Sequence, residues 1–201
     1  MAEELVPRIL VMDTGPLITL AVADSLDYLL VPGFPVIIPD AVFFEATRKG
    51  DAIGAESILE WVQLHADRVN IVPTSVYASN AVSLEGGGPR VPDMGERSAI
   101  EVVRYTPFAT EREVAILLTE DDEVVEGRHF SEDVRHRIVV VTTHDFLEGL
   151  EKARRINSVQ AVYDRANDGG RMASKRQTEK EKYTRAMATL EAALKTNGPK
   201  S

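Results

Sequence analysis

The chain has 201 residues, a formal net charge of −9 and no cysteine. The length suits one domain with an extension and leaves room for a buried core. The missing thiols exclude disulfides and cysteine-ligated zinc, the acidity argues against holding nucleic acid by bulk charge, and the lack of a long apolar run or a basic, apolar leader points to a cytoplasmic protein rather than a membrane or secreted one.

The first element is the apolar run Ile9–Met12, which ends at Asp13 and reads as a short buried strand. A helix is expected from Gly15 to Leu30, with Pro16 tolerated in its first turn and Leu17, Leu20, Leu26, Leu29 and Leu30 on the buried side. After the Pro32–Pro35 break, Val36–Ile38 is a second strand; Asp40 is placed to cap a helix carrying Glu45, with Gly50 as its stop. Ala55–Leu64 reads as a helix, Val69–Val72 as a strand, Ser75–Leu84 as weakly helical and the glycine- and proline-rich stretch Glu85–Pro92 as a loop. Gly95–Tyr105 is helical with Ala99, Ile100 and Val103 inward. Val114–Leu118 is a strand running into the acidic run Glu120–Glu123, with a short helix over Asp122–Arg128. Ile138–Val141 is the last strand. Phe146–Arg155 and Ser158–Asn167 are helices, and Gly169-Gly170 stops the second.

From Arg171 onward the charge reverses. Eight basic and three acidic residues give this tail +5, which leaves −14 on the body. Tyr183, Met187, Leu190 and Leu194 form a narrow apolar stripe, suited to docking on the body or a partner or left on a solvated tail. Strands and helices alternate along the chain, and the strands are continuous apolar runs. The expected fold is therefore α/β, a three-layer α/β/α sandwich around a mainly parallel sheet. The expected organisation is one α/β domain over residues 1–156 and a helical, basic extension over 157–201.

In such a sheet, strand ends and helix starts converge on one edge. Asp13, Glu45, Glu96 and Asp121 fall at those positions. Each alone is as well explained as a cap, a turn or a first-turn acid. As a set, clustered carboxylates repel unless a cation neutralises them, and all-oxygen donors suit Mg²⁺ or Mn²⁺. A metal held this way can activate water and offset charge on a phosphodiester in its transition state.

Four stretches, VMDTGPLITLA, VIIPDAVFFEATRKG, DMGERSAIEVV and ILLTEDD, resemble the PIN-domain ribonucleases found as toxins in bacterial toxin–antitoxin pairs. The resemblance spans about residues 8–156. It implies a Rossmann-like sandwich, Mg²⁺ or Mn²⁺, RNA as substrate, a cognate antitoxin and a homodimer. It also implies that Asp13, Glu45, Glu96 and Asp121 are the acidic set, with Thr14 and Thr119 orienting a water or phosphate. Asp93 competes with Glu96 for the third position, and Asp122 and Asp145 compete with Asp121 for the fourth. The basic tail, with Arg97, Arg104 and Arg112, is a candidate source of phosphate contacts.

Other signals are weaker. The triple glycine 86–88 lacks the lysine of a phosphate-binding loop, and no dinucleotide fingerprint follows the first strand. A haloacid-dehalogenase-like phosphatase would need a second Asp where Gly15 stands. His65, His129 and His136 lack metal-ligand spacing and read as surface residues. A non-catalytic PIN-like module binding RNA or protein is the competing function.

Overall fold

A computed structural model describes residues 5–48, 52–88, 91–127, 130–175 and 180–197. Its strands are β1 (Val6–Met12), β2 (Val36–Pro39), β3 (Val69–Val72), β4 (Glu113–Thr119) and β5 (Ile138–Thr142). They form one all-parallel sheet in the order β3-β2-β1-β4-β5. Helices cover both faces: α1 (Thr14–Val22), α2 (Asp40–Thr47), α3 (Ala55–Leu64), α4 (Ser75–Ala78), α5 (Ala81–Glu85), α6 (Met94–Tyr105), α7 (Asp122–Glu126), α8 (Glu132–Arg135), α9 (Thr143–Lys152), α10 (Val159–Asp168) and α11 (Lys180–Asn197). None of them is long and apolar enough to cross a membrane.

Alternation along the strands sorts the core into two layers. Leu10, Met12, Ile116, Leu118 and Val141 face α1, α9, α10 and α11. Val11, Ile37, Ala115 and Leu117 face α6, α7 and α8. Every residue of β4 is buried, so the inner strands need apolar side chains on both faces and show continuous runs rather than alternation.

The expected helix over Gly15–Leu30 is two elements. α1 ends at Val22, Asp24 takes a left-handed backbone (φ 51°), and a separate 3-10 turn follows at Leu26–Leu30. Ser25 Oγ donates to the Ala23 carbonyl at 3.0 Å and fixes the reversal. The leucines stay buried on either side of the break, so their spacing alone could not show it. Asp40 begins α2 rather than capping it; its carboxylate accepts hydrogen bonds from Ala41 N, Thr74 N and Thr74 Oγ1. Gly50, the expected stop of that helix, lies outside the described residues. α9 starts at Thr143, ahead of the expected Phe146, because Thr142 Oγ1 accepts from Asp145 N at 3.1 Å and caps it.

The chain beyond residue 156 packs into the same core. Tyr163 and Ala166 of α10, with Ala186, Leu190 and Leu194 of α11, are buried against it. The apolar stripe thus docks on the body. A Cβ on Gly149 would collide with Leu190, so the bare glycine lets α9 and α11 close. Tyr183 Oη donates to Glu148 at 2.6 Å at the rim. Leu190→Ala is expected to lower unfolding stability by about 2–5 kcal/mol, measured by urea denaturation; an unchanged midpoint would mean that α11 does not belong to the folded core.

Candidate functional site

The strand order reverses direction at β1. The chain leaves β1 towards β2 on one side and returns from β3 to β4 on the other, which opens a crevice at the carboxyl end of the sheet. Register puts Met12 beside Leu118, so Asp13 and Thr119, the next residues, stand side by side. Thr119 Oγ1 donates to Asp13 Oδ2 at 2.7 Å, and Asp13 Oδ1 caps α1 by accepting from Thr14 N at 2.7 Å. α2 brings Glu45 to the same place, where its Oε2 accepts from Thr14 Oγ1 at 3.0 Å. Thr119 Oγ1 also accepts from Asp121 N at 3.0 Å, and Asp121 Oδ1 caps α7 through Glu123 N and Val124 N at 2.7 and 3.3 Å.

The third wall is the start of α6. Gly95 lies against the acids: a Cβ there would sit 3.3 Å from Asp13 Oδ1 and 3.8 Å from Glu45 Oε2. This close approach explains a glycine inside a helix. Asp93 precedes the helix with a left-handed backbone (φ 54°) and makes no side-chain capping bond. Together Asp13, Glu45, Asp93, Glu96 and Asp121 line a cleft of ≈ 420 Å³ with Pro92, Met94 and Gly95.

Of the competing acids, Asp93 therefore shares the cleft with Glu96. Asp122 is exposed on α7 outside the cleft lining, and Asp145 is fully buried on α9 beneath β5, the far edge strand. The hydroxyls of Thr14 and Thr119 donate to the carboxylates themselves, Thr14 to Glu45 and Thr119 to Asp13. Two of the arginines considered for phosphate contacts are elsewhere. Arg104 lies near the far end of α6, paired with Asp133 at 3.0 Å, and Arg112 precedes β4 at the opposite edge of the sheet. In the tail, Arg171 is paired with Glu120 and Lys175 lies over the Tyr163 ring. Exposed Arg97, beside Glu96, is the one of the three body arginines at the cleft end. His65 is half-buried rather than a surface residue, with Nε2 3.2 Å from Asp27 Oδ1, and His129 lies outside the described residues.

Burial holds the Asp13 carboxyl above the ordinary carboxylate range; the hydrogen bonds from Thr119 and Thr14 oppose this, and the charges of Asp121 and Glu45 add to it. The cleft is walled by carboxylates, and no basic side chain among the described residues lines it. Such a donor set fits a hard divalent cation. Another group, His144, Asp145 and Glu148, has ligand atoms within 4.8 Å of one another. Of these, Glu148 pairs with Lys152 at 2.8 Å and accepts from Tyr183, and His144 stacks on Tyr163; none of the three lines the acid-walled cleft. Glu120 belongs to the acidic run after β4, yet its side chain is only 9% exposed and is held by Thr143 and Arg171. The alternation of an extended chain past β4 is the signal that separates it from Asp121.

The raised pKa of Asp13 has a defined sign. The folded state holds this proton more tightly than the unfolded chain, so metal-free stability falls as pH rises from the unfolded carboxylate value of 3.8 through the raised folded one. In Asp13→Asn that component of the slope is expected to vanish, read from thermal unfolding of metal-free protein across the acid range; equal slopes in both proteins would contradict the burial of this charge.

The sequence matches the family model DUF3368, a PIN domain, over residues 9–122. Neither a curated protein nor a solved structure matches the chain. The matched region holds the parallel core of the sheet and all four of Asp13, Glu45, Glu96 and Asp121, and the chain belongs to the PIN-domain family.

Proposed function

We propose that the protein is an endoribonuclease that hydrolyses RNA phosphodiesters with Mg²⁺ or Mn²⁺, acting as the toxin of a toxin–antitoxin pair. The observation that carries the nuclease reading is the all-carboxylate cleft at the β1–β4 switch point of a PIN domain. Asp13, Glu45, Glu96 and Asp121 are the residues that would hold the cation. Bound there, the cation supplies a nucleophilic water at neutral pH and offsets the negative charge that gathers on the phosphoryl group.

The chain's own groups do the positioning. Thr119 fixes Asp13 and the backbone of Asp121 together, and Thr14 fixes Glu45. These contacts set the spacing of the ligands before any metal arrives, which limits reorganisation at the reacting centre. α6 opens its N-terminus on the cleft, and the helix dipole there favours a phosphate group. Arg97, on the first turns of the same helix, is placed to meet the backbone of a bound strand.

The toxin role, the cognate antitoxin, the homodimer and a cytoplasmic location rest on the resemblance of the four sequence stretches. A phosphatase of the haloacid-dehalogenase type is disfavoured by Gly15. That residue stands where the second Asp would be, and a Cβ there would sit 3.0 Å from Glu120 Cβ.

The test is cleavage of a mixed RNA pool by purified protein, free of any bound inhibitor protein. Cleavage is expected with Mn²⁺ or Mg²⁺, to be abolished by a chelator, and to drop to background in Asp13→Asn. A wild type that binds RNA but never cuts it under these conditions would make the protein a non-catalytic binding module. Arg97→Ala is expected to raise KM more than it lowers kcat, as loss of a phosphate contact does; an unchanged KM would remove Arg97 from the RNA path.

A further inference from the structure

We propose that Arg171, supplied by the C-terminal extension, is a positioning residue for the metal-binding cleft: it neutralises buried Glu120 and so holds the β4–α7 loop that carries Thr119 and Asp121. The inference rests on the reading of the cleft as a metal-dependent nuclease centre.

Only Glu120 and Asp121 separate β4 from α7, and Asp121 is extended, so neighbouring side chains go to opposite sides. Thr119 and Asp121 serve the cleft, as their mutual hydrogen bond and the bond to Asp13 show. Glu120, between them, points the other way, towards α1 and α9. Its Oε1 accepts from Thr143 Oγ1 at 3.0 Å and its Oε2 accepts from Arg171 at 3.1 Å. The guanidinium also reaches Thr19 Oγ1 on α1 at 3.3 Å. One arginine thus joins α1, the β4–α7 loop and, through Glu120, the start of α9.

The backbone is arranged to deliver it. Gly170 takes a left-handed conformation (φ 86°) and Arg171 N donates to the Ala166 carbonyl at 2.8 Å, so the chain doubles back at the end of α10. A Cβ on Gly169 would collide with Val22 of α1, so the turn lies flush against that helix. Gly15 leaves the space that Glu120 fills. Arg171 lies outside the matched family region, which ends at residue 122. The device belongs to this chain's extension rather than to the minimal domain.

Without Arg171 a carboxylate that is 9% exposed loses its charged partner. A buried charge left this way is strongly unfavourable. Moving Glu120 towards solvent relieves it, and moves with it the two neighbours that build the cleft. Groups that orient metal ligands from behind typically change metal affinity by about 10–100-fold when removed.

The experiment uses the full chain as wild type, Arg171→Ala, Arg171→Lys, Glu120→Gln and the double variant Arg171→Ala with Glu120→Gln. Mn²⁺ alone is titrated calorimetrically, RNA cleavage is resolved into kcat and KM, and amide hydrogen exchange is followed in metal-free protein. The expected result for Arg171→Ala is about 10-fold weaker Mn²⁺ binding, a lower kcat with KM unchanged, and faster exchange at Asp121, Glu123 and Val124. Arg171→Lys recovers part of the loss. With Glu120 already neutral, removing Arg171 has little further effect. Wild-type Mn²⁺ affinity and kcat in Arg171→Ala overturn the inference, as do additive effects of the two substitutions. A wild type that neither binds Mn²⁺ nor cleaves RNA overturns the nuclease reading, while faster exchange confined to the loop in Arg171→Ala would still uphold the positioning role.

Discussion

The contact on which the rest of the site depends is the hydrogen bond from Thr119 to Asp13 across the β1–β4 pair. It is possible because the two strands end level, with Met12 beside Leu118. The hydroxyl donates its one proton to the carboxylate and accepts from Asp121 N, so a single side chain sets the distance between the first and last acids. Thr14 does the corresponding work for Glu45. A parallel sheet with level strand ends, capped by two threonines, is what turns scattered carboxylates into a donor set.

That arrangement stores repulsion. Burial and the neighbouring acids keep the Asp13 carboxyl above its usual range, and the body as a whole carries −14. The fold counters this locally rather than globally. Backbone N–H groups and hydroxyls donate to Asp13, Glu45 and Asp121, and the start of α6 brings its dipole up to the cleft. Glu120 is turned away from the cleft and neutralised on the other side of the loop. A divalent cation bound in the cleft would relieve the repulsion that the fold has to sustain without it. His144, Asp145 and Glu148 are also closely set, but there Lys152 and Tyr183 already hold Glu148.

The architecture was legible in the sequence because the buried strands are unbroken apolar runs, with Asp13 and Asp121 just after strands, Glu96 in the first turn of a helix and Glu45 on the helix that follows β2. The four residues named there meet in one cleft. What was not legible depends on contacts between distant residues. The break at Asp24 lies inside continuous leucine spacing. The roles of Thr14 and Thr119 depend on which carboxylate each one faces. Glu120 looks like one of four acids in a solvated turn, and its burial follows from Thr143 and Arg171, which are 23 and 51 residues away. The stripe on α11 showed an amphipathic helix but not its partner, which the packing of Leu190 against Gly149 supplies.

The most direct measurement is the position of Mn²⁺ in a crystal of the full chain, found from its anomalous scattering. The account predicts a peak coordinated by oxygens of Asp13, with Glu45, Glu96 or Asp121 around it, and none beside His144. A peak held by His144, Asp145 and Glu148, or an empty cleft at saturating Mn²⁺, would contradict it.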